Sequence, residues 1–255
     1  MEKLNTLPDT KKGPSVPAIP SVERRMFLRN LGLASASALA VLTSCAKEDL
    51  AVPQGGLRRS GARVGATVLP DGSIDLGDGD IGITNMAYAL EQLEVAYYTM
   101  AYDRSAGWSE MDRRVIRELR DHELVHRELL KALLGPYAIP ELEFNFSTVD
   151  FNNRNAVFDA AQKFETVGTG AYNGSSKFVQ DLELLKLAGK IVSIEARHAT
   201  LARHMIQPES RFAVAHELID NGGLDVAYFP DEVLMKAQPF IKQKLSGSKL
   251  PAPIM

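Results

Sequence analysis

Glu123-Leu-Val-His126 and Glu195-Ala-Arg-His198 repeat one pattern, a glutamate and a histidine three residues apart, and each sits inside a long run with helical spacing of apolar residues. On a helix, side chains at i and i+3 point to nearly the same side, so each motif delivers one carboxylate and one imidazole to a single place. About thirty residues upstream of each motif, another helical run carries its own glutamate, Glu91 before the first and Glu165 before the second. One Glu-x-x-His alone says little. Two of them, each with a glutamate on a preceding helix, supply four carboxylates and two imidazoles, the ligand set of a two-metal centre inside a four-helix bundle.

Working outward from these motifs, four helices are predicted. Helix A runs from Ile83 to Asp103, with Thr84 or Asn85 as its N-cap and Gly107 past its end. Helix B runs from Ser109 to Leu134, where Ser109 and Asp112 form a capping pair and Gly135-Pro136 stops the helix. Helix C runs from Asn152 to Tyr172, closed by Asn173-Gly174, and helix D from Ser176 to Ile206, ended by Gln207-Pro208. The A–B and C–D links are short and join antiparallel neighbours, whereas Tyr137 to Phe151 is long enough to travel the length of a bundle. No strand-like run of useful length appears here, so the fold class is all-α. The predicted architecture is a four-helix bundle of two antiparallel hairpins over residues 80–206, with a long B–C crossover. Residues 207–255 form a C-terminal extension packed on the bundle, with one short helix from Pro230 to Ile241.

The two halves echo one another: Tyr98 follows Glu91 by seven residues, and Tyr172 follows Glu165 by the same interval. This parallel favours Glu91 over Glu94 as the helix A ligand. Glu94 shares the same face and is kept as a further metal-facing carboxylate, the other reading being an acceptor for an imidazole N–H. Tyr98 and Tyr172 read either as donors beside the centre, with a catalytic part, or as core aromatics. Leu119, Leu124, Leu129 and Leu130 flank the first motif and Ile191, Ile194 and Leu201 the second, which turns at least part of each toward a core. His122 borders the site or is a partly exposed interior histidine; His204 and His216 read as structural or surface residues.

Composition narrows the function. The net charge of −3 sets 29 basic against 32 acidic residues and gives no basic excess for a nucleic-acid partner. Aromatics at 7% advertise no base-stacking surface. Cys45 is the only cysteine, so neither an intrachain disulfide nor a thiolate site can be built. Residues 46–79 read as a tether and then a loop leading into the domain. The aspartates from Asp71 to Asp80 are turn chemistry, since a calcium loop needs more evenly spaced oxygens and a closing glutamate.

Residues 1–45 read as a processing segment. Glu23-Arg24-Arg25-Met26-Phe27-Leu28-Arg29 precedes an apolar run from Leu31 to Leu42, too short for the ~20 residues of a membrane-spanning helix. The paired arginines resemble a twin-arginine export signal, and Leu42-Thr43-Ser44-Cys45 resembles a bacterial lipobox with Cys45 as the lipidated residue.

Four stretches carry a wider resemblance: Asn85 to Tyr98 (NMAYALEQLEVAYY), Arg120 to Leu130 (RDHELVHRELL), Phe164 to Gly174 (FETVGTGAYNG) and Ile194 to Arg203 (IEARHATLAR). From Asp75 to Ile206 the chain resembles the ferritin-like superfamily, and specifically exported bacterial ferritin-like domain proteins. The resemblance implies Glu91, Glu123, Glu165 and Glu195 as carboxylate ligands, His126 and His198 as imidazole ligands, and two iron or manganese ions, iron preferred, as cofactor. It implies an oxidoreductase acting on Fe(II), dioxygen or hydrogen peroxide, of ferroxidase, peroxidase or catalase-like type. The other reading is a non-catalytic envelope lipoprotein that uses the bundle as a stress-protective or binding module. Expected partners are metal ions, small oxidants, the membrane through a lipid at Cys45, and a second copy in a homodimer. The expected location is the periplasm or the outer membrane.

Overall fold

The computed structural model describes residues 65–208 and 222–252. Four long helices dominate it: α1 (Gly79–Arg104), α2 (Glu110–Leu134), α3 (Arg154–Ser176) and α4 (Leu182–Ile206). α1 packs along α2 and α3 along α4, giving the bundle of two hairpins that the short links predict. A short helix, α5 (Pro230–Ala237), lies on α3. Three two-residue strands form a small sheet outside the bundle: β1 (Thr67–Val68), β2 (Ile74–Asp75) and β3 (Leu245–Ser246). β1 runs antiparallel to β2 with Thr67 opposite Asp75, and β2 runs parallel to β3 with Ile74 opposite Leu245. No helix among the described residues is long and apolar enough to cross a membrane. The signal segment, Cys45 and His216 lie outside the described residues.

The helix ends follow local chemistry, with three corrections. α2 begins as read: Ser109 Oγ accepts from the Asp112 amide at 3.1 Å, and Gly135 with φ 53° closes the helix before Pro136. α1 begins at Gly79, a full turn before the expected start, so Thr84 and Asn85 are inside it and neither is its cap. Thr84 bonds back to the Asp80 carbonyl, and Asn85 spends its amide on the crossover instead. α3 does not close at Asn173-Gly174 but continues to Ser176. α4 starts at Leu182 rather than Ser176, because Asp181 accepts from the Glu183 and Leu184 amides and sets the first turn there.

The aspartates ahead of α1 are engaged by backbone and lysine. Asp71 accepts from Ser73, Asp75 accepts from Gly77 N and pairs with Lys249, and both oxygens of Asp80 accept amides at the α3–α4 turn, from Gln180 and Asp181 at 2.9 Å each. Residues expected to form a loop here therefore hold β1 and β2.

Extended chain that crosses a bundle carries backbone groups that need partners once water is removed. α1 supplies them. Asn85 donates to the Leu76 and Tyr137 carbonyls and accepts from Ile139 N, each at 2.9 Å, and Gln92 accepts from Leu142 N at 2.9 Å. The C-terminal segment then pairs with the crossover, through a bridge between Phe144 and Ile241 and an Asn145 N to Phe240 carbonyl bond. With α2, α3 and the crossover all against it, α1 is buried along nearly its whole length. Tyr97 lies edge-on to Phe164 with ring centroids 4.8 Å apart, Phe164 meets Phe240 at the same distance, and the Tyr97 hydroxyl donates to the Val157 carbonyl. This aromatic cluster fixes α1 against α3 next to the glutamates described below.

Candidate metal centre

Each bundle helix sends acidic or imidazole groups inward. α1 carries Glu91, Glu94 and Tyr98, α2 carries Glu123 and His126, α3 carries Glu165 and Tyr172, and α4 carries Glu195 and His198. All are buried, with Glu123, Glu165 and Glu195 at 0% exposure. Such residues are rarely interior unless something compensates their charge.

Six of them fall into two overlapping groups. Glu91, Glu123, His126 and Glu195 each bring one ligand atom within 4.8 Å of the others, and so do Glu123, Glu165, Glu195 and His198. The two Glu-x-x-His glutamates, Glu123 and Glu195, belong to both groups, while Glu91 with His126 and Glu165 with His198 each serve one. His126 Nδ1 lies 3.1 Å from Glu123 Oε2, 3.1 Å from Glu195 Oε1 and 3.6 Å from Glu91 Oε2. His198 Nδ1 lies 2.6 Å from Glu123 Oε1 and 3.4 Å from Glu165 Oε2.

The seven-residue echo turns out to be a crossed pair. Tyr98 on α1 donates to Glu165 Oε1 on α3 at 2.5 Å, and Tyr172 on α3 donates to Glu91 Oε1 on α1 at 2.6 Å. Each tyrosine thus holds the outer oxygen of the other helix's glutamate and leaves Oε2 facing the interior.

Whether a metal suits this site can be read from the orphaned atoms. Glu91 Oε2, Glu94 Oε2, Glu123 Oε1, Glu165 Oε2, both oxygens of Glu195 and His198 Nδ1 are buried without a hydrogen-bond partner. The short His198–Glu123 approach is one of closeness rather than donor-to-acceptor alignment, because both atoms aim into the same space. Buried acceptors left unpaired are costly, and cations are the partners that such a convergence of lone pairs fits.

The electrostatics agree. Burial, and then repulsion from Glu165, pushes Glu123 up to about 7. Burial and the neighbouring carboxylates raise Glu94 and Glu195 well above the usual range. Burial alone would lower both imidazoles. The carboxylates around them win, Glu165 and Glu123 raising His198 to about 11, and Glu123, Glu195 and Glu91 raising His126 further. Burial, reinforced by Glu165 and Glu91 respectively, also keeps the Tyr98 and Tyr172 phenols protonated. Protons and cations therefore compete for the same lone pairs, and metal uptake at this cluster must displace protons.

Glu94, expected among the metal-facing carboxylates, stands outside both groups. It lies beside Glu195 against α3, where the backbone comes close: a Cβ on Gly168 would sit 2.7 Å from Glu195 Oε2 and 3.4 Å from Glu94 Oε1. Gly168 thus makes room for these two carboxylates on α3, a role the sequence left unread.

Two neighbours of the motifs also differ from expectation: Leu124 and Leu201 are exposed, whereas Leu119, Leu130 and Ile191 pack inward. His204, at the end of α4, is exposed. The sequence understated His122, which is exposed yet places Nδ1 2.9 Å from His198 Nε2. Its position one turn before His126 was the available signal.

Residues 79–208, about half of the 255-residue chain, match the model of the Ferritin-like domain, from the first residue of α1 to just past α4. The chain belongs to the ferritin-like domain family. No curated protein matches it. The matched span of this ferritin-like domain contains all six clustered residues, and the buried cluster is compatible with a di-metal site.

Proposed function

We propose that this ferritin-like protein holds two iron or manganese ions, iron being the better match, and works as an oxidoreductase on Fe(II), dioxygen or hydrogen peroxide. The observation that carries this reading is the sharing of Glu123 and Glu195 between two four-ligand groups. Carboxylate oxygens with two imidazoles and no thiolate suit iron or manganese. When bound, the pair would supply Lewis acidity and electrons to a two-electron oxidant.

The protein's own part is to place ligands, hold protons and exclude water. Glu91 with His126 and Glu165 with His198 furnish the unshared donors on either side of the shared carboxylates. Tyr172 and Tyr98 hold their hydroxyl protons on the outer oxygens of Glu91 and Glu165, so each is a proton donor at a terminal carboxylate. In the metal-free chain burial, and then the neighbouring carboxylates, pushes Glu94 beside Glu195 toward its neutral form.

The full-length chain loaded with Fe(II) is expected to consume dioxygen or hydrogen peroxide through repeated turnovers, faster than free Fe(II) does, in an oxygen-electrode or peroxide assay. A loaded chain that reacts no faster than free Fe(II) would remove the oxidoreductase reading and leave the non-catalytic envelope module.

The same reading places the protein in the cell envelope, exported and anchored by lipid at Cys45. It is supported by the paired arginines, the apolar run and Leu42-Thr43-Ser44-Cys45. Cys45→Ser is expected to shift the protein from the membrane to the soluble fraction in cell fractionation; unchanged fractionation argues against the anchor.

A further inference from the structure

We infer that His122 is a positioning residue for the metal centre, accepting a hydrogen bond from His198 Nε2 and so holding the His198 ring in the tautomer that leaves Nδ1 free for a cation. The inference rests on the di-metal reading and concerns a residue outside both ligand groups.

The geometry runs in one line from the interior to the surface. His198 Nδ1 faces Glu123 and Glu165 inside the cluster. On the other side of the same ring, Nε2 lies 2.9 Å from His122 Nδ1. A neutral imidazole has one donor and one acceptor nitrogen, and the bond made by one nitrogen decides the state of the other. If His198 Nδ1 is to offer its lone pair to a metal, Nε2 must carry the hydrogen, and His122 Nδ1 is the acceptor placed to receive it. His122 then keeps its own hydrogen on Nε2. His122 is exposed, so water can serve that second donor without any protein partner.

The placement follows from α2. His122 is four residues before His126 and adjacent to Glu123, so it emerges one turn from a ligand on the same side of the helix. Its ring lies 5.1 Å from the His198 ring and 6.2 Å from the His126 ring, centroid to centroid. The hydrogen bond thus ties α2 to α4 at one of the two unshared imidazoles, and the effect is confined to the position that His198 serves with Glu165. Partners of this kind change metal affinity by about 10- to 100-fold when removed.

The test is Co(II) titration of the full-length chain, followed by visible absorption, with His122→Leu and His122→Asn beside the unsubstituted protein. Leucine removes the acceptor, whereas the asparagine amide oxygen can stand where Nδ1 stood. His122→Leu is expected to weaken one of two Co(II) equivalents by about 10- to 100-fold and leave the other in place. His122→Asn is expected to restore most of that loss, with the metal-free melting temperature alike in all three proteins because position 122 is exposed. Rescue by asparagine separates a hydrogen-bond role from mere bulk. Two equally tight equivalents in His122→Leu, equal weakening of both, or no rescue by asparagine would each overturn the inference while leaving the metal centre standing. An unsubstituted chain that binds no Co(II) would overturn the di-metal reading itself.

Discussion

Glu123→Ala is expected to abolish binding of both metal equivalents, while Glu165→Ala abolishes one. The asymmetry follows from connectivity: Glu123 belongs to both ligand groups, and Glu165 belongs only to the one that contains His198. Elemental analysis of dialysed, full-length protein measures it directly as two, one or zero equivalents per chain. Two retained equivalents in Glu123→Ala would remove the shared-carboxylate arrangement. Misfolding is excluded by the second readout. In the metal-free protein burial, and then repulsion from Glu165, pushes the Glu123 carboxyl up to about 7. Removing it relieves that repulsion, so the metal-free variant is expected to melt no lower than the unsubstituted chain. A ligand loss and a folding defect thus move the melting temperature in different directions.

Gly174→Ala is expected to destabilise the protein by about 1–3 kcal/mol, a fall in melting temperature of roughly 2–10 °C. Helix propensity alone argues for the opposite sign, since alanine inside a helix is worth ~1 kcal/mol over glycine. Packing decides. A Cβ at Gly174 would lie 1.8 Å from the Tyr228 carbonyl oxygen and 2.7 Å from its amide nitrogen, and this is backbone with no rotamer to yield. At Gly170 the Tyr228 ring occupies the place of a Cβ, and Tyr228 N donates to the Gly170 carbonyl at 2.8 Å. Asn173 adds a bond from its amide to the Val226 carbonyl at 3.1 Å. Alanine must push this segment off α3, which limited proteolysis would detect as faster cleavage after α4. Gly189 on α4 is the control, because a Cβ there meets nothing within 4 Å. Gly189→Ala is expected to raise stability by about 0.5–1 kcal/mol. A gain at both positions would show that the Tyr228 seat contributes nothing.

The same residues mark how far local pattern carries. Helices, the pairing of hairpins and the six clustered glutamates and histidines were legible because they rest on spacings of three, four and seven residues, which a helix converts into a shared face. The start of α1 and the end of α3 were not. Asn85 has the chemistry of an N-cap and Asn173-Gly174 that of a helix stop, but each is spent on chain that lies far away in sequence.

Within the site the division is the same. That Glu91, Glu123, Glu165 and Glu195 converge with His126 and His198 could be read from the order of residues, because helical spacing puts each Glu-x-x-His pair on one face and apolar neighbours turn part of that face inward. Which carboxylates are shared, which tyrosine holds which glutamate, that Glu94 stands back beside Gly168 and that His122 meets His198 all required the folded chain. These are contacts between different helices, set by how the rods are rotated and how deeply they approach, and a one-dimensional pattern carries neither rotation nor depth.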